Sequence, residues 1–181
     1  MHERRFNHQI ERLRDPQRVK RLEVERVVDL TLEGLERPQS VLDVGVGSGL
    51  FAQAFSTRGL ATSGVDANPQ MLAVAQQFVP GGSFQEGIAE ALPAADQSVD
   101  VVFMGLVLHE TDDPLQALQE AHRVARMRLA VLEWPDEVTD FGPPAEHRIS
   151  SARLVQLAHQ AGFQHVDQLQ LEYLTFYRMT P

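Results

Sequence analysis

Along this chain, short apolar runs alternate with segments whose apolar positions recur every three or four residues. Asp15-Pro16 reads as a helix cap followed by proline at the first helical position. Val19, Leu22, Val27, Leu30 and Leu35 then predict one helix over 16–35. Val41-Leu42-Asp43-Val44 predicts a first strand running directly into glycines, and Phe51, Ala52 and Phe55 predict a helix closing near Gly59. Ser63 to Asp66 reads as a second strand, and Asn68-Pro69 caps a helix carrying Met71, Leu72 and Val74. Ser83 to Gly87 is a weaker third strand. Val99 to Met104, β-branched and apolar on both faces, is a strong fourth. Pro114 opens a helix through Leu115, Leu118 and Val124, and Leu129 to Trp134 is a fifth strand. Pro135 to His147 is the one long loop, and Ser150-Ser151 caps a helix ending at Gly162. Val166 to Leu171 and Tyr173 to Met179 then close the chain as two strands near enough to form a hairpin. Alternation of this kind predicts an α/β fold on a mostly parallel sheet.

A chain of 181 residues fits a single domain over 1–181, with 1–36 as an N-terminal helical cap segment within it. No apolar run approaches the roughly 20 residues needed to span a bilayer. The charged start Met1 to Phe6 has no apolar stretch behind it and does not read as a signal peptide. Cysteine is absent, which removes disulfides and thiolate chemistry and fits a cytoplasmic location. Sixteen basic residues against 25 acidic ones give a net charge of -9, and no Lys or Arg lies between Arg58 and Arg123. Nucleic acid is therefore not an expected partner, because its binding needs cations to replace released counterions. The arginines of the first 26 residues are interspersed with Glu and Asp and read as a solvated helix face.

Chemistry concentrates after the first strand, in Asp43-Val44-Gly45-Val46-Gly47-Ser48-Gly49. Glycines there let the backbone turn sharply and approach a ligand, at which the next helix would aim its free N–H groups. The spacing is G-x-G-x-G, not the G-x-G-x-x-G of dinucleotide folds. Asp66 follows at the end of the second strand, where a carboxylate either accepts from both hydroxyls of a ribose or merely caps a helix.

With these elements the chain resembles the class I S-adenosylmethionine-dependent methyltransferases, and more narrowly the small type-11 branch related to quinone-biosynthesis methyltransferases. Val41 to Gly49 matches the family's glycine signature and Gly64-Val65-Asp66 its acidic strand end. Gly87 to Pro93 matches the segment flanking the adenine, and Ser98 to His109 the fourth strand and its exit. The resemblance implies a Rossmann-like seven-stranded sheet in the order 3-2-1-4-5-7-6, with the last strand pair antiparallel and helices on both faces. It implies S-adenosylmethionine as cofactor. Asp43, Gly45, Val46, Gly47, Ser48 and Gly49 would hold the methionine end, with Asp66 and Ala67 at the ribose and Met71 on the adenine face. Ala89 would offer its backbone N–H to the adenine ring. Either Glu90 bonds the adenine amino group in place of the missing acid or that group faces water, and Gly105 and Leu106 would lie beneath the methionyl part. Two departures stand out. Ile88 replaces the usual acidic residue, and Arg123 to Arg128 replaces the usual lysine-proline-glycine-glycine turn.

A sulfonium methyl is already activated, so in-line displacement needs chiefly positioning, and a base only if the acceptor must lose a proton. Substrate-facing candidates are His109, Glu110, Trp134 and His147. His109 reads equally as a packing or capping residue, and His147 as part of a surface loop. A metal site at His109, Glu110, Asp112 and Asp113 is the weaker reading, because acidic helix starts are common caps. The acceptor-side cap is small, which predicts a small-molecule acceptor. Phe6 to Ile10 is expected to fold across the opening. A nicotinamide-dependent oxidoreductase and a non-catalytic methyltransferase-like binding module are the rival readings, and the oligomeric state stays open.

Overall fold

The seven strands lie in one sheet in the order β3-β2-β1-β4-β5-β7-β6. The computed structural model describes residues 10–137 and 140–181. Strands β1 (Ser40–Val44), β2 (Ala61–Asp66), β3 (Ser83–Glu86), β4 (Val99–Gly105) and β5 (Ala125–Glu133) run parallel. Antiparallel β7 (Thr175–Thr180) inserts between β5 and β6 (His165–Gln170). The expected order and the antiparallel final pair are both present.

Period-two alternation decides which side chains meet which helices. Leu42, Val44, Val102, Met104, Leu129 and Val131 pack on α5 (Pro114–Val124) and α6 (Ser151–Ala161). Val41, Val101, Phe103, Ala130 and Leu132 take the other face, against α2 (Val24–Leu32) and α3 (Leu50–Thr57). There Phe103 meets Phe51 at 4.7 Å and Phe55 at 5.4 Å between ring centroids. Burying each such ring is worth about 1.5–3 kcal/mol. Beside β2, α4 (Pro69–Phe78) is opened by Asn68, whose side chain accepts from the Gln70 amide, and by proline at the first turn.

Several boundaries differ from the sequence expectations. The helix expected over 16–35 is two helices, α1 (Pro16–Leu22) and α2, broken at Glu23 in the left-handed region at φ 46° and ψ 44°. The apolar period survives the break, which is why periodicity alone hides it. The bend is held by Glu23 itself, whose carboxylate accepts from Arg26 at 2.7 Å and from the Glu172 amide at 2.9 Å. The solvated-face reading of the N-terminal arginines accordingly holds for Arg26 but fails for Arg14, Arg18 and Arg21, which point inward.

The altered segment Arg123–Arg128 contains no turn at all, because α5 passes directly into β5 at Ala125. Its arginines anchor that junction: Arg123 pairs with Glu120 and Asp96, Arg126 with Asp100, and Arg128 donates to the Thr31 and Glu33 carbonyls. Tyr173, expected in the last strand, precedes it in the hairpin turn. The Phe6–Gln9 part of the expected lid lies outside the described residues.

Candidate active site

A cleft of about 1060 Å³ opens at the carboxyl ends of β1, β2, β4 and β5. Adjacent parallel strands in this order bring four strand exits together, which is where open α/β sheets bind ligands. After β1 the chain enters the glycine loop. Gly45 has φ 67°, and a Cβ on it would collide with the Val107 side chain, so the close passage of this loop over the exit of β4 requires glycine. Gly49, at φ 73°, begins α3, and a Cβ there would stand 2.9 Å from the Ala75 Cα of α4. Arg14 clamps the loop from outside. Its guanidinium donates to the Ser48 carbonyl at 3.0 and 3.2 Å and to Gln53 at 2.9 Å, and lies 3.3 Å over the Phe78 ring.

Two carboxyl groups face this loop. Asp66 at the end of β2 accepts from the Gly47 amide at 2.9 Å and the Asn68 amide at 2.8 Å. Each of its oxygens therefore keeps acceptor capacity for a ligand hydroxyl. Burial pushes its pKa up against the pull of those amides. Asp43 is 3% exposed, and burial, with Asp66 adding to it and the Ala52 amide opposing, pushes it up to about 8. Asp43 is thus a buried, mostly neutral acid at pH 7 that a cationic ligand group would ionise.

Met71 and Ala89, both buried, line the cleft together with Ala67, Val46 and Ser48. Glu90 lines it too, but its Oε1 accepts from the Asp112 amide at 2.7 Å and the Asp113 amide at 3.4 Å, fastening this segment to the start of α5. Ile88 is 42% exposed. At the exit of β4, Gly105 and Leu106 line the floor, and Leu106 holds a left-handed φ of 60°. Such a conformation costs a non-glycine residue on the order of 1 kcal/mol.

His109 follows, 7% exposed, in a short 3-10 turn, Leu108–Glu110. Its Nδ1 lies 3.1 and 2.9 Å from the two carboxylate oxygens of Glu133, the last residue of β5, and its backbone N–H donates to the same side chain at 3.2 Å. A carboxylate only accepts, so this network assigns the proton to Nδ1 and leaves Nε2 with its lone pair. Nε2 stands 3.9 Å from Glu110. Burial alone would lower the imidazole pKa, but the charge and hydrogen bond of Glu133, then Glu110, outweigh it and raise it above 6.5. Trp134 and His147 also line the cleft. Among the described residues no group of three or more His, Asp or Glu side chains is placed to hold a metal ion. Asp113 instead caps α5 by accepting from the Gln116 amide.

All the candidate cofactor and substrate residues except Gly49, which sits behind the loop at the start of α3, therefore line one cleft. The sequence reading missed the partner role of Glu133, although an acid ending the apolar run Leu129–Leu132 is itself a signal. It also missed Arg18, Arg21 and Tyr173, whose placement depends on the break at Glu23 and on the hairpin turn.

Residues 42–128 match the model of a methyltransferase domain family, and the sheet order and glycine loop are those that the resemblance to class I S-adenosylmethionine-dependent methyltransferases implies. A demethylmenaquinone methyltransferase of Chlorobaculum parvum is 40% identical over 92 residues, which cover 50% of this chain and 38% of that protein. A solved SAM-dependent methyltransferase from Aquifex aeolicus superposes with a TM-score of 0.82 at 27% identity, covering 94% of this chain and 96% of its own. The magnesium protoporphyrin IX methyltransferase of Synechocystis, solved with SAH, shares the fold at a TM-score of 0.70 and 17% identity, covering 89% and 83%. The matched part spans less than half the length of the curated relatives. The cofactor of this family is S-adenosylmethionine. The chain fits it on its own geometry: a glycine cradle, an ionisable buried Asp43 for a cationic group, and spare acceptor capacity on Asp66 for a ribose.

Proposed function

We propose that this protein transfers a methyl group from S-adenosylmethionine to a small-molecule acceptor by direct in-line displacement. The observation that carries this reading is a single cleft holding both the glycine loop with Asp43 and Asp66 and the buried His109–Glu133 pair. When bound, the cofactor supplies an activated sulfonium methyl. Asp43 and the loop would hold its methionine end and Asp66 its ribose, while Met71, Ala89 and Glu90 would flank the adenine. His109 is the general base of this proposal, taking the acceptor's proton at Nε2 while Glu133 fixes the tautomer and stabilises the resulting imidazolium. Leu13 and Leu22 of the N-terminal segment, both buried, line the same cleft and support its shielding from water. No helix among the described residues is long and apolar enough to cross a membrane, and we read the protein as cytoplasmic.

Calorimetric titration tests the reading. S-adenosylhomocysteine is expected to bind at least about tenfold more tightly than NAD, a gap of roughly 1.4 kcal/mol. The substitution Asp66→Ala is expected to weaken that binding by roughly 1.5–3 kcal/mol, the scale of hydrogen bonds to a charged group. Comparable binding of NAD overturns the proposal in favour of a nicotinamide enzyme.

A further inference from the structure

One part of the cleft has no use in the chemistry above. Arg21 of α1 places its guanidinium 5.0 Å over the ring of Phe141. Phe141 in turn meets Tyr173 at 5.5 Å, edge to face, and Trp134 at 6.2 Å. All four side chains line the cleft that also contains His109.

This aromatic wall carries donors that lack acceptors. Among the described residues Arg21 forms no ion pair, and neither does Arg18 one turn earlier, which donates only to the Leu13 carbonyl at 3.3 Å. The indole Nε1 of Trp134 is buried without a hydrogen-bond partner. A guanidinium held over a ring by cation–π attraction can still offer N–H groups in a planar fork that matches a carboxylate. Arg18, largely withdrawn from water, and the half-buried Arg21 beside it also repel each other. Burial first, and then the charge of Arg21, lower the pKa of Arg18, while Glu110 acts in the opposite sense. An arriving anion relieves that repulsion, and in a chain of net charge -9 such a cationic corner has a selective use.

We propose that the acceptor is a small planar molecule bearing a carboxylate, with the charged group held by Arg21 and the ring lying against Phe141 and Tyr173. This rests on the methyl-transfer reading, since it names the substrate class of the same site.

The test uses the full chain saturated with S-adenosylhomocysteine and titrated with two matched pairs of probes, 3,4-dihydroxybenzoate against catechol and 4-hydroxyphenylacetate against 4-methylphenol. At least one carboxylate is expected to bind about tenfold or more tightly than its neutral partner, as charge-assisted hydrogen bonds require. Arg21→Ala is expected to erase the preference while leaving affinity for S-adenosylhomocysteine within roughly twofold, whereas Lys20→Ala, on the exposed side of the same helix, preserves it. Circular dichroism of each variant establishes that it is folded. Absence of a carboxylate preference in both pairs overturns the inference, whether the probes bind equally or not at all. Weakened S-adenosylhomocysteine binding by Arg21→Ala overturns it as well, because the guanidinium would then serve the cofactor's own carboxylate. Failure of the wild type to bind S-adenosylhomocysteine is a different result, and it refutes the methyl-transfer reading itself.

Discussion

Protonation of Asp43 should govern cofactor affinity across neutral pH. The carboxyl is 3% exposed and is pushed up to about 8 by burial, with a smaller contribution from Asp66. In the empty protein it is therefore mostly protonated at pH 7 and more fully so at pH 6. A ligand whose amino group is held by the ionised form must first remove that proton. Affinity for S-adenosylhomocysteine should consequently rise on the order of ten- to a hundredfold between pH 6 and pH 8. Calorimetry at pH 7 in buffers of different ionisation enthalpy should register release of a substantial fraction of a proton per site. The Asp43→Asn variant should bind more weakly at pH 8 and show a flat profile.

The same group leaves a mark on stability. Its folded pKa lies above the unfolded value near 3.8, so its stabilising contribution is complete below that value and is lost as pH rises through about 8. The empty wild type should therefore melt at lower temperature at pH 8.5 than at pH 6, and the asparagine variant should lose less. Wild-type affinity that stays flat from pH 6 to 8, with no proton released, would refute this account of Asp43.

Two further substitutions probe the loop and the base. Gly45→Ala forces an alanine into φ 67° and drives its Cβ into Val107, so it should destabilise the fold by about 1–3 kcal/mol in denaturant unfolding and abolish measurable cofactor binding. Retained affinity at wild-type stability would mean that the loop moves freely. Glu133→Gln removes the group that outweighs burial at His109, so the imidazole should titrate at lower pH than in the wild type, followed by its ring proton resonances in NMR. The raised pKa means that this pair stabilises the fold fully below pH 6.5 and less as pH climbs through the folded value, so the cost of the variant should be greatest in acid. An unmoved His109 titration would reduce Glu133 to a packing residue.

The proposed cofactor half of the cleft can be read from the sequence because its determinants are local. Gly45, Gly47 and Gly49 follow an apolar strand directly, and Asp66 ends the next one, so a strand-turn-helix pattern with its glycines places both without any long-range contact. The acceptor half obeys different physics. Arg21 reaches Phe141 only because Glu23 departs from helical geometry, at a point where the apolar repeat from Val19 to Leu35 continues undisturbed. Mixed charges around it make the segment look solvated, and nothing local distinguishes Arg21, turned into the cleft, from Arg26, turned out. Glu133 pairs with His109 across 24 positions of sequence, between the exits of two adjacent parallel strands, so the pair follows from the β4–β5 register. A cofactor shared by a whole family can be read from short motifs, whereas an acceptor is recognised where distant segments converge. On the proposed reading, acceptor specificity resides in the contacts among α1, the exit of β5 and the final hairpin, and exchanging those segments between relatives should transfer acceptor preference while leaving cofactor affinity in place.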